Sequence, residues 1–277
     1  MTFDPQQVDW EDPINRDSPQ ADGLIAWSLP RPGPGPYMRD AARGRRWKFG
    51  GDTHWRWDRE LNLPILHFDG NGDYTELMGS LGGEVHEAIF KKRAMVSFWA
   101  KWTSTATNRF FGAWKNATGG FCLAINNYPL AGQIRFYYGV STDLKAYLYT
   151  GTALNDGLWH HICWGSDATN NILIIDGVQA TQAYPVEDIG LLDRDFCWGL
   201  DRNDRTATQA FDGDMADLRV YRLANHTYYQ IASHMFAKGT RHDLFRQRVR
   251  RTVFVPASAA LINHDYYYRH MLAGPSR

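Results

Sequence analysis

Four clusters of side chains in this sequence have types and spacings that could do chemistry. Asp69, Asn71 and Asp73 alternate within Asp-Gly-Asn-Gly-Asp. Hard oxygen donors spaced along a loop suit calcium, and Asp212 and Asp214 could join them. The same run also reads as an ordinary tight turn between strands. His160 and His161 are adjacent, so in a strand they point to opposite faces. They cannot share an ion or relay one proton, and structural roles are expected for both. The stretch from Arg43 to Trp57 is basic and aromatic and reads as a loop. Indole faces stack on sugar rings, and guanidinium forks grip carboxylates or phosphates. Arg45, Arg46, Trp47, Trp55, Arg56 and Trp57 are therefore the candidate ligand- or partner-binding residues. Alternation in Thr53–Asp58 supports a second reading, in which Trp55 and Trp57 share one inward face. Near the C-terminus, Arg246, Arg248, Arg250, Arg251 and Phe254 form a basic run that reads as an assembly arm docking on an acidic neighbour.

The elements that must position these groups are short strands. Apolar runs such as Ala94–Trp102, Phe121–Ile125, Leu158–Trp164, Ile172–Ile175 and Met215–Tyr221 are bounded by Asp-Gly, Asn-Gly and Gly-Gly pairs. Ile174-Ile175-Asp176-Gly177-Val178 is a hairpin, because Asp-Gly accepts the positive backbone angles of a tight turn. Several strands are apolar on both faces, which predicts sheets covered on both sides. Residues 227–236 space Tyr228, Ile231, Ala232, Met235 and Phe236 as one short amphipathic helix, capped by Asn225 or Thr227. This divides the chain into an N-terminal arm (1–23), a β-sandwich (24–237) and a basic C-terminal arm (238–277). The polar N-terminal arm needs a surface to lie on, either the domain or a neighbour.

Composition narrows the function. The chain has 277 residues, 44% hydrophobic and 22% charged, which fits one large all-β domain. Basic and acidic residues number 30 each, so no global positive field draws nucleic acid. The N-terminus has no basic start and no apolar stretch, and no run is long enough to span a bilayer. The three cysteines, Cys122, Cys163 and Cys197, sit in apolar runs and read as buried free thiols, consistent with intracellular folding.

Six segments in order resemble the laminin-G-like, concanavalin-A-like family. They are Gly23–Trp27, Leu66–Tyr74, Val96–Lys101, Gly151–Ile162 with its Trp-His-His entry, Ile174–Val178 and Phe211–Tyr221. The resemblance implies a two-sheet antiparallel jelly-roll sandwich with one short C-terminal helix and extended terminal arms. Relatives often hold calcium at the sandwich rim. A second stretch, Asp243-Leu244-Phe245 and Arg250–Ala259, is similar to the tail of laminin-G-like proteins of tailed phages. That similarity implies a virion protein assembled in bacterial cytoplasm, as a capsid decoration or tail-associated module. Its partners would be other virion proteins, copies of itself, and a host surface glycan.

The same sandwich also hosts glycoside hydrolases, which need paired carboxylates facing one cleft. This chain has six Glu, at positions 11, 60, 76, 84, 87 and 187, and no Glu-x-Asp-x-x-Glu arrangement. Asp212/Asp214 reads as a turn and Asp193/Asp195 as a polar loop. No catalytic residue is expected. The expectation is a non-enzymatic structural or interaction protein. A calcium-dependent lectin module is the first alternative and a glycoside hydrolase the second. Calcium is the one cofactor the residues suggest.

Overall fold

Alternating apolar residues and glycine-rich turns drive this chain into strands, and the strands form two stacked sheets. The computed structural model describes residues 13–29, 37–79, 83–90, 93–106, 108–115, 119–126, 132–140, 143–148, 153–167, 170–179, 184–185, 195–200, 209–222, 227–237 and 242–245. The chain divides into two units, Met1–Gln247 and Arg248–Arg277. The second unit lies outside the described residues, and so do all five assembly-arm candidates, Arg246, Arg248, Arg250, Arg251 and Phe254.

In chain order the strands begin with β1 (Leu24–Ser28), β2 (Tyr37–Arg39), β3 (Arg46–Gly50), β4 (His54–Asp58), β5 (Leu63–Asp69) and β6 (Tyr74–Leu77). Helix α1 (Glu84–Phe90) follows, then β7 (Arg93–Lys101), β8 (Arg109–Lys115), β9 (Gly119–Asn126), β10 (Gln133–Val140) and β11 (Asp143–Leu148). The chain continues through β12 (His160–Asp167), β13 (Asn170–Ile175), β14 (Val178–Gln179), β15 (Tyr184–Pro185), β16 (Cys197–Trp198), β17 (Asp212–Arg222) and α2 (Tyr228–Phe236). The back sheet runs β14-β13-β12-β7-β17-β5-β4, with β1 beside β17 and β15 beside β13. The front sheet runs β11-β10-β9-β8-β16-β6-β3-β2. Every described pairing is antiparallel. The sandwich expected from sequence is present. Helix α1 was missed, because seven residues give too little periodicity to read.

The inter-sheet core is aromatic. Phe98 on β7 meets Phe110, Phe111 and Trp198 from the front sheet. Trp164 on β12 stacks on Phe121 and Phe136. Each such ring contributes roughly 1.5–3 kcal/mol by leaving water. A second core lies on the outer face of the back sheet. There Trp27, Ile65, Met95, Trp99, Cys163 and Ile174 are covered by Ile231, Ala232 and Met235 of α2 and by Ile14, Leu244 and Phe245. The back sheet is therefore apolar on both faces. Helix α2 begins with a reciprocal cap between Thr227 and Gln230. The Asp176-Gly177 turn has φ of 50° and 76°, as its hairpin requires.

Residues 14–23 pack onto this outer core, and one polar centre ties them down. β17 leaves β5 after Ala216 and pairs with β1 from Leu218, with a bulge at Asp217 (φ 54°). The bulge turns Asp217 toward Arg219, which binds it at 2.6 and 2.7 Å. Trp27 Nε1 donates to Asp217 at 2.9 Å, and the Arg219 guanidinium lies 5.3 Å from the Trp27 ring. Arg219 also donates to the Gln20 side chain, and the Tyr221 hydroxyl donates to the Gln20 carbonyl at 3.0 Å. Burial pushes the Tyr221 hydroxyl up to about 12. The three cysteines are buried and none is in a disulfide, and burial raises the Cys163 thiol far above its usual value. Among the described residues no helix is long and apolar enough to cross a membrane.

Candidate functional site

The stretch from Arg43 to Trp57 is not one loop. Its two halves are β3 in the front sheet and β4 in the back sheet, joined at Gly51-Asp52-Thr53. This separates the six candidate binding residues. Trp47 is fully buried between the sheets, edge-on to Phe196, so its ring offers no face to a ligand. Arg45 is structural as well: it pairs with buried Asp40 at 2.9 Å and donates to the Ile25 carbonyl. Trp55 is half-buried against the inter-sheet core. Arg56 lies on the outer face of the back sheet and binds Asp214 at 2.6 Å. Trp57, on the edge strand, is 41% exposed. Arg46 is exposed on the outer face of the front sheet. Local spacing could not reveal that the chain changes sheets between Arg46 and Arg56.

The acidic run behaves differently. β3 passes into β4, and β5 into β6, at the same end of the sandwich. There the carboxylates of Asp52, Asp69 and Asp73 come within 4.8 Å of one another. Asp73 is buried, and each of its oxygens accepts a backbone N–H at 2.8 Å, from Asp52 and from Asp69. One carboxylate thus clasps both crossings between the sheets. Burial pushes the Asp73 carboxyl above its ordinary range, and the neighbouring Asp69 and Asp52 push the same way. Each oxygen keeps a further lone pair, and three hard donors at this spacing fit a divalent ion such as calcium. Asn71 does not join them through its side chain in any described contact; its backbone N–H caps Asp69 at 2.7 Å. Asp52 was missed in the sequence because it lies on another turn, 17 positions before Asp69. Asp212 sits opposite Asp69 on β17, beside Gly70. Asp214 belongs elsewhere: it is held by Arg56 and by His67 at 2.8 Å.

His160 and His161 do point apart. His160 Nδ1 meets Asp176 at 2.8 Å and its Nε2 meets Asp156 at 3.2 Å, pinning the loop before β12 to the Asp176-Gly177 turn. The Asp176 hydrogen bond raises the His160 proton affinity above its usual value, outweighing the opposing effect of burial. His161 is buried on the other face, where its Nε2 lies 2.8 Å from Ser97.

The outer face of the front sheet carries a cross-strand row of Tyr37, Lys48, Glu76, Cys197, Gly112 and Cys122. Glu76 is the single carboxylate in that row, between Lys48 and Cys197.

A family model described as the concanavalin A-like lectin/glucanases superfamily matches residues 82–226. The chain belongs to that superfamily. The concanavalin A-like fold is shared with solved structures at low identity. One is domain 4 of AbnA, an extracellular arabinanase from Geobacillus stearothermophilus, in complex with arabinotriose. It is 18% identical with a TM-score of 0.54, and the match covers 72% of this chain and 92% of that one. The botulinum neurotoxin serotype D binding domain is 15% identical with a TM-score of 0.55, covering 78% of this chain and 51% of that one. A Trypanosoma rangeli sialidase is 15% identical with a TM-score of 0.57, covering 79% and 34%. The chain thus spans about half of the toxin domain and a third of the sialidase. No curated protein sequence matches significantly.

Proposed function

We propose that this chain is a non-enzymatic carbohydrate-binding module with a calcium site at its acidic rim. The observation that carries the reading is the front-face row, where Glu76 has no second carboxylate beside it among the described residues. Hydrolysis of a glycoside needs two carboxyl groups about 5–9.5 Å apart across the sugar. The rim aspartates do not substitute for such a pair. They crowd one another more closely, and Asp73 is committed to two backbone donors. The relatives support the glycan: the arabinanase domain was solved with arabinotriose, and botulinum neurotoxin type C entry depends on two ganglioside molecules.

A glycan array probed with the full chain, with calcium and with a chelator, tests this. Binding without cleavage of the bound polysaccharide is expected, together with a calcium-dependent rise in melting temperature that Asp69→Asn removes. Cleavage products would overturn the binding reading. An unchanged melt would remove the ion and leave the glycan.

A place in a phage particle is the second reading. It is favoured by the segment where the tail resemblance begins: Leu244 and Phe245 are buried, and Phe245 bridges Ile14. Deleting residues 246–277 should leave a folded domain that no longer incorporates into particles. Normal incorporation would exclude the arm's role.

A further inference from the structure

The outer face of β2, β3 and β6 gathers three cations that no described carboxylate neutralises. Arg39 and Arg46 are exposed and Lys48 is half-buried. None of the three forms an ion pair among the described residues. The register places them on one face. Tyr37 pairs with Lys48, Arg39 with Arg46, and Lys48 with Glu76. Glu76 is buried and makes no ion pair with Lys48. Arg109 and Arg135, aligned through Ala124, stand farther along the same face.

Two aromatic rings lie among these charges. Tyr37 is 49% exposed, and the Arg46 guanidinium sits 5.9 Å from its ring centre. Tyr74 packs over Gly50, its cross-strand partner, so closely that a Cβ at Gly50 would come within 2.1 Å of the ring. Glycine at that position is what makes room for the ring over the sheet. From Gly50 to Arg46 the strip extends about 13 Å along β3, enough for a short oligosaccharide.

We propose that this strip, Tyr37, Arg39, Arg46, Lys48 and Tyr74, recognises an acidic glycan, one carrying carboxylate or sulfate groups. The proposal rests on the carbohydrate-binding reading and names the class of sugar. Flat rings accept the apolar faces of pyranosides, and guanidinium forks match carboxylates and sulfates. A nucleic acid fits less well. The strip ends at the carboxylates of Asp52, Asp69 and Asp73, which repel a uniformly charged polymer that runs past them. The chain also carries no net positive charge.

The experiment measures binding of the full chain to a polyuronate and to a sulfated glycosaminoglycan, against neutral arabinan and a DNA duplex. Salt titrations and the variants Arg46→Ala, Lys48→Ala and Tyr37→Ala accompany each ligand. Arg56→Ala, which removes one positive charge from the opposite sheet, is the control. Thermal melts establish that each variant is folded. Expected is salt-sensitive binding of the acidic glycans, weakened about tenfold by each lost cation and about fivefold by the lost Tyr37 ring, with Arg56→Ala unchanged. Binding of arabinan alone, indifferent to these substitutions, would overturn the strip and spare the carbohydrate reading. Binding of no glycan would overturn both. Equal capture of DNA, or equal loss with Arg56→Ala, would show bulk charge and overturn the strip.

Discussion

The two outer faces of this sandwich use the same side chain in opposite ways. On the back sheet, Arg219 is fully buried. It is held by Asp217, stacked near Trp27 and bonded to Gln20 under a cover of helix and terminal segments. On the front sheet, Arg39 and Arg46 are exposed and have no carboxylate partner among the described residues. Burial of a charge is tolerable only with full pairing, so the back-sheet arginine is committed to the fold. An unpaired charge in water costs little and stays available. The back face is an interior surface and the β2–β3 end of the front face an exterior one, though both carry arginine.

Substitutions should separate the two faces by size of effect. Arg219→Ala strands Asp217 as a buried charge and should cost about 3–5 kcal/mol in urea unfolding. Arg46→Ala should cost less than about 0.5 kcal/mol. Similar losses in both variants would break the comparison. The tryptophans sharpen it next. Trp47→Ala opens a cavity between the sheets and should cost about 3–5 kcal/mol, whereas exposed Trp57→Ala should cost about 1 kcal/mol or less. Gln20→Ala leaves Arg219 short of one acceptor and should cost about 1–3 kcal/mol. Its loss should be accompanied by faster proteolysis near residues 14–23.

The smallest expected effect is a pH dependence. His160 binds its proton more tightly in the folded state, mainly through Asp176. Its contribution is therefore fully present below the unfolded value, about pH 6.5, and is lost as pH rises through the higher folded value. Melting temperatures of the native chain and of His160→Asn, compared from pH 5 to 8.5, should converge at the alkaline end. Parallel curves would assign His160 no part in that slope.

Much of the fold was readable because its signals are local. Asp176-Gly177 announces its own turn, and the doubly apolar runs of β7 and β12 announce two covered faces. Trp159-His160-His161 carried the family resemblance, and the opposed directions of the two histidines followed from strand geometry. The site was less readable, because it depends on which sheet each strand enters. Trp47 and Trp57 look alike in sequence, yet the crossing at Gly51–Thr53 sends them to different sheets. Asp52 joins Asp69 and Asp73 only after both crossings fold. Tyr37 and Arg39 carry no local signal of their own, since only pairing across β2 and β3 gathers the cations.

The three thiols lend the molecule a built-in clock. Cys163 sits beneath the back-sheet cover, while Cys122 and Cys197 occupy the front-face row. A modifying reagent reaches each sulfur only when its own layer opens. The order in which the three are labelled would therefore report which side of the protein comes apart first.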